Sequence, residues 1–161
     1  MRKTIAIGML GLALLSNRVA AQMAVEQAQI LSDFQRSVVE YTQRHTCLDM
    51  FPEAMTAATP APKVFTLPVA IVFRQLIAKA VYKEGDAAIG GYGVTHHVVV
   101  MQPFPANELT EFPPALSAAL PLLPAPLEYR VIDRDLVIRD GDADVIIAVL
   151  RDALGTFTTR R

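Results

Sequence analysis

The chain has 161 residues, with 15 Lys and Arg against 16 Asp and Glu, a single cysteine and no tryptophan. That balance leaves no basic stripe able to displace counterions from a nucleic acid, and no polybasic patch for anionic lipid. A lone cysteine, Cys47, rules out an internal disulfide; among apolar neighbours it reads as a small buried group, the other outcome being intermolecular pairing.

The first 21 residues have the plan of a bacterial secretory signal peptide. Arg2 and Lys3 precede an apolar run from Thr4 to Leu15, and Val19-Ala20-Ala21 offers small residues for cleavage after Ala21. Asn17 and Arg18 end the run short of the roughly 20 apolar residues of a spanning helix. The expected product is an exported, periplasmic or secreted chain with no stable membrane span. Removing Arg2, Lys3 and Arg18 leaves 12 Lys and Arg against 16 Asp and Glu, a formal charge of about −4.

From Met23 to Arg44 there is no proline or glycine, and Val25, Ile30, Leu31, Phe34, Val38 and Tyr41 recur at helical spacing, with His45 continuing the stripe. An Ala-, Thr- and Pro-rich connector follows between Leu48 and Pro62. Thr66-Leu67-Pro68 opens a second helix, whose Val69, Val72, Phe73, Leu76, Ile77, Ala80 and Val81 share one face, and Gly85 is placed to end it. Asp86 to Gly93 reads as a glycine-rich loop, and His96 to Met101 as a short strand.

Seven of the 11 prolines lie between Pro103 and Pro126. They leave room for one short helix, Pro113 to Leu120, opened by proline and closed by Pro121. Leu127 to Val131 and Leu136 to Arg139 alternate apolar and polar residues around Asp133-Arg134-Asp135, which predicts a β-hairpin. Ile146, Val149, Leu150 and Ala153 suggest a closing helix from Ala143 to Leu154, on which the hairpin would pack. The sum is one α+β domain over residues 22–155, with two or three amphipathic helices on a small antiparallel sheet, and a tail at 156–161.

The wording of the C-terminal third resembles an uncharacterised family of exported bacterial proteins. Phe112-Pro113-Pro114-Ala115-Leu116, Leu120-Pro121 with Pro124, Leu127-Glu128-Tyr129-Arg130, Arg134-Asp135-Leu136-Val137 and Arg139-Asp140 carry the resemblance. Asp33-Phe34-Gln35-Arg36 and Val72-Phe73-Arg74 look similar to the family's two earlier helices. The likeness is dense from Phe112 to Leu154 and implies export; it implies no catalytic residue, ligand or cofactor. The connector after the first helix and the acidic Asp140-Gly141-Asp142-Ala143-Asp144 depart from that pattern.

Candidate chemistry is sparse. Asp140, Asp142 and Asp144 begin like a calcium loop, but Val145 stands where the loop needs glycine and Arg151 where it needs glutamate; the plainer role is capping the start of a helix. His96 and His97 are adjacent and would leave a strand on opposite faces, so they do not converge on one metal. No Ser, Cys or glycine-rich segment has the surroundings of a nucleophile or a phosphate cradle. A small hydrolase or metal enzyme built on His96, His97, Asp140 and Asp142 is therefore the lesser reading, and no cofactor is expected. The greater one is a non-catalytic module that binds an unknown envelope partner or itself, with Tyr129, Arg130, Arg134 and Asp135 as candidate contacts. Against it stands a plain solvated sheet face laced with cross-strand ion pairs.

Overall fold

The structure, a computed structural model, describes residues 7–49, 63–84, 98–105 and 111–155. Within them the chain forms three helices and a three-stranded antiparallel meander: α1 (Ile7–Asp49), α2 (Leu67–Glu84), α3 (Pro114–Ala119), β1 (Leu127–Ile132), β2 (Asp135–Asp140) and β3 (Val145–Leu150), in the sheet order β1-β2-β3. The fold class is α+β. No helix among the described residues is long and apolar enough to cross a membrane.

α1 runs unbroken for 43 residues. Its Phe34, Val38 and Tyr41 are buried, whereas Met23 and Val25 lie exposed. α2 begins where the Thr66 carbonyl accepts the Ala70 N–H at 2.8 Å. Pro68 sits in its first turn, where its missing N–H costs nothing. Its inner face sets Val69, Phe73, Ile77, Ala80 and Val81 against α1 and the sheet. α3 is one proline-bounded turn and a half that seats Leu116 in the same core.

The aromatic residues hold these layers together. The Phe73 ring lies 4.7 Å from Phe34, 5.3 Å edge-on from Phe65 and 6.3 Å from Tyr129, and Phe112 stacks on Tyr129 at 5.8 Å. One side chain of α2 thus touches α1, the segment leading into α2 and strand β1. Such aromatic contacts add about 0.5–1.5 kcal/mol each beyond burial.

The hairpin forms as the alternation predicts, with Tyr129 opposite Ile138 and Val131 opposite Leu136. Asp133 takes the left-handed conformation at its two-residue turn (φ 55°), which Asp tolerates better than most residues.

Two expectations need correction. The closing helix from Ala143 to Leu154 does not exist; Val145 to Leu150 is the third strand, joined to β2 by the turn 141–144. The run Val-Ile-Ile-Ala-Val-Leu is mostly β-branched and apolar at every position, the composition of a strand covered on both faces. Both faces are covered. A bulge pairs Ile138 with Ala148 but Arg139 with Ile146, which leaves Ile147 as the extra residue. Ile147, Ala148 and Leu150 join the helix-side core, while Ile146 and Val149 meet Val98, Phe104, Ile132 and Val137 on the far face.

The second correction concerns Val98 to Met101, which is no strand. Met101 has φ 65°, and the segment's backbone meets the end of β3 through Met101 N–H to Ile146 O (2.7 Å), Ile146 N–H to Gln102 O (2.9 Å) and Phe104 N–H to Asp144 O (3.1 Å). Pro103, opposite Val145, has no N–H to extend the ladder. The segment serves instead as a lid of Val98 and Phe104 over the far face.

Phe34→Ala is expected to destabilise the fold by about 3–5 kcal/mol, and Val25→Ala by under about 0.5 kcal/mol. Urea denaturation measures both, and equal effects would contradict this placement of the core along α1.

Candidate functional site

Asp140 is the one charged side chain among the described residues that is buried, at 2 % exposure. It ends β2 opposite Leu127, on the helix side of the sheet. Its Oδ1 accepts the N–H groups of Asp142 and Ala143, both at 3.0 Å, and its Oδ2 accepts the Tyr41 hydroxyl at 3.1 Å. Asp140 therefore caps a β-turn where sequence reasoning expected a helix start, and ties that turn to α1 through a partner 99 residues away. Gly141 helps seat the turn: its N–H donates to the Pro126 carbonyl at 3.1 Å, and a Cβ there would come within 3.2 Å of the same oxygen.

The other two acids of the trio diverge. Asp142 is exposed. Asp144 has φ 54° and accepts the Arg139 guanidinium at 2.7 Å. No group of three His, Cys, Asp or Glu side chains among the described residues could hold a metal ion. His96 and His97 lie outside the described residues, as do the side chains of His45 and Cys47.

Two tyrosines have environments that resist ionisation. Burial, then the adjacent Asp140 charge and its hydrogen bond, push the Tyr41 phenol well above its ordinary range. Burial alone does the same to Tyr129, whose hydroxyl donates to the Pro121 carbonyl at 2.9 Å. Tyr129 is thus a core residue with a polar anchor.

On the far face, Glu128 and Arg139 stand directly opposite and pair at 2.5 Å, Arg130 joins Glu128 at 2.7 Å, and Arg139 lies 5.4 Å from the Phe104 ring centroid. Burial opposes the Arg139 charge, but hydrogen bonds to Asp144 and Glu128 outweigh it and raise its pKa. Arg130 is only 21 % exposed, and its Nε is buried without a hydrogen-bond partner. This is the cross-strand ion-pair lattice weighed in the sequence, extended by Asp144.

The hairpin tip gathers a second lattice. Arg134 pairs with Asp152 at 2.5 Å; Asp135 accepts Arg151 at 2.5 Å and the Asp152 N–H at 2.8 Å. The Leu154 N–H donates to the Arg134 carbonyl at 3.1 Å. Of the four candidate contacts, Arg134 is exposed, and Tyr129, Arg130 and Asp135 are half-buried. The structure brings Arg134 and Asp135 together at the tip and keeps Tyr129 and Arg130 on opposite faces of β1. Arg151 and Asp152 were missed, because a helix through Leu154 would have carried them away from the hairpin. The four apolar residues Val145 to Ile147 and Val149 were the available signal for a strand that returns them to it.

An open apolar depression of about 320 Å³ lies beside the β3 edge, lined by Lys63 to Thr66, Val100 and Ile147 to Val149. It contains no acid–base pair.

Three outcomes follow from these contacts. Tyr41→Phe removes a hydrogen bond to a buried carboxylate and should cost about 1.5–3 kcal/mol in chemical denaturation; no loss would contradict the Tyr41–Asp140 link. Raised phenol pKa values also set a direction with pH. Below the unfolded tyrosine pKa of about 10 the contribution of both phenols is intact; above it the unfolded chain ionises first, and stability falls as pH rises. Urea midpoints between about pH 8 and 11 should therefore drop, and Tyr129→Phe should flatten the drop. Millimolar calcium should leave the melting temperature unchanged, and a rise abolished by Asp142→Ala would overturn the structural reading of the acidic turn.

Comparison with known proteins finds no matching family model, no similar curated protein and no similar solved structure.

Proposed function

We propose that the chain is an exported bacterial protein that acts without catalysis, binding an envelope partner or a second copy of itself through the tip of its hairpin. Export rests on the N-terminal sequence plan and on the resemblance of Phe112 to Leu154 to exported proteins. The binding role rests on one observation: the tip presents Arg134 and Asp152 with 44 % and 67 % of their side chains exposed, while their backbones are fixed by the Asp135 and Leu154 hydrogen bonds. A charged pair on a rigid turn offers a preorganised contact, and arginine is among the residues favoured at interface hot spots. The Arg134–Asp152 pair itself adds little to stability at that exposure.

Affinity capture from solubilised native envelope separates contact from scaffold. Arg134→Glu breaks the internal pair and reverses the presented charge; the double variant Arg134→Glu with Asp152→Arg restores the pair but keeps the reversal. Both are expected to lose the partner about tenfold or more. Full binding by the double variant, or a monomeric protein that recovers no partner, would refute the proposal.

A further inference from the structure

A second surface, on the opposite side of α2 from the core, goes beyond the hairpin reading. Leu67 (74 % exposed), Ile71 (48 %) and Tyr82 (93 %) remain uncovered, and Ala78 is exposed between them. At 3.6 residues per turn, these four positions fall within about 60° of the helix circumference. They form one apolar ridge along the whole helix.

The ridge is flanked by cations. Arg74 lies on one side and Lys79 on the other, both exposed, and the helix's sole acid is Glu84 at its last position. The Arg74 guanidinium donates to the Arg151 carbonyl at 2.8 Å. Exposed Lys63 precedes the helix on the N-terminal side. The sequence alone points to no polybasic patch for lipid, because these cations are spaced along the helix and the chain as a whole is close to neutral.

We propose that this face of α2 docks on an anionic bilayer, the helix lying in the plane of the interface with Leu67, Ile71 and Tyr82 inserted among the headgroups. The chemistry is that of an interfacial helix: an aliphatic and aromatic ridge to enter the headgroup region, and basic residues beside it to meet lipid phosphates. A second copy fits less well. A parallel pairing of two such ridges sets each cation against its equivalent, and an antiparallel pairing centred on the ridge brings Arg74 toward Arg74. The charge pattern asks for an anionic occupant.

Vesicle co-sedimentation of the full chain tests the surface, with phosphatidylcholine vesicles compared against phosphatidylglycerol-containing ones. The N-terminal apolar run is common to every variant, so differences between variants isolate α2. The wild type is expected to prefer anionic vesicles, with binding that weakens as salt rises. Lys79→Glu, and separately Leu67→Ser with Ile71→Ser, should each lower the partition by on the order of tenfold without changing the circular dichroism spectrum. Because the chain lacks tryptophan, Tyr82→Trp supplies a single reporter, whose emission should shift to the blue on anionic vesicles alone. Equal binding to both lipids, variants that bind like the wild type, or a reporter that stays in water would overturn the proposal. Loss of a captured protein by the same variants, with no vesicle binding, would assign the ridge to a protein partner instead.

Discussion

Phe73 is where the architecture is decided. It is fully buried, and its ring meets Phe34 of α1, Phe65 ahead of α2 and Tyr129 of β1. A meander of three short strands cannot hold its shape in water without an apolar layer on one face, and a helix draws most of its stability from tertiary packing, which α1 makes through Phe34, Val38 and Tyr41. Each needs the other, and the aromatic cluster is their meeting place.

The opposite face of the sheet solves a different problem. Ile132, Val137 and Ile146 would lie exposed there, and the segment from Val98 to Phe104 covers them. The rest of that face is polar, so Glu128, Arg130, Arg139 and Asp144 share their charges in one lattice. Arg139 links the two regions, with its guanidinium over Phe104 and its hydrogen bonds to both acids. On the helix side Asp140, the single buried charge among the described residues, is satisfied by two backbone amides and Tyr41. Placed among apolar side chains without those donors, a carboxylate would be strongly destabilising.

The elements legible in the sequence were those with local punctuation. Thr66 and Pro68 marked the start of α2, Pro113 and Pro121 bracketed α3, and the alternation around Asp133-Arg134 set the hairpin register. β3 was misread because a six-residue apolar run has no distinctive period, and Ile146, Val149, Leu150 and Ala153 also satisfy a helix. That error hid the site as well: with Val145 to Leu150 helical, Asp140 becomes a helix cap, and Arg151 and Asp152 leave the hairpin tip. Tyr41 was correctly placed on the inner stripe of α1, but nothing local could pair it with Asp140 far along the chain. The uncovered ridge of α2 was legible only as the apolar residues left off its inner face, Leu67, Ile71 and Tyr82; that nothing among the described residues covers them is a property of the fold.

The proposed recognition surfaces, the hairpin tip and the outer face of α2, require that helices and sheet behave as one cooperative body. Native-state hydrogen exchange of Phe73→Ala tests that dependence most directly. Amides of α2, such as Ile77, and of β2, such as Ile138, should lose protection by the same opening free energy. Loss confined to the helices, with the sheet still protected as in the wild type, would show two independent units and contradict the account.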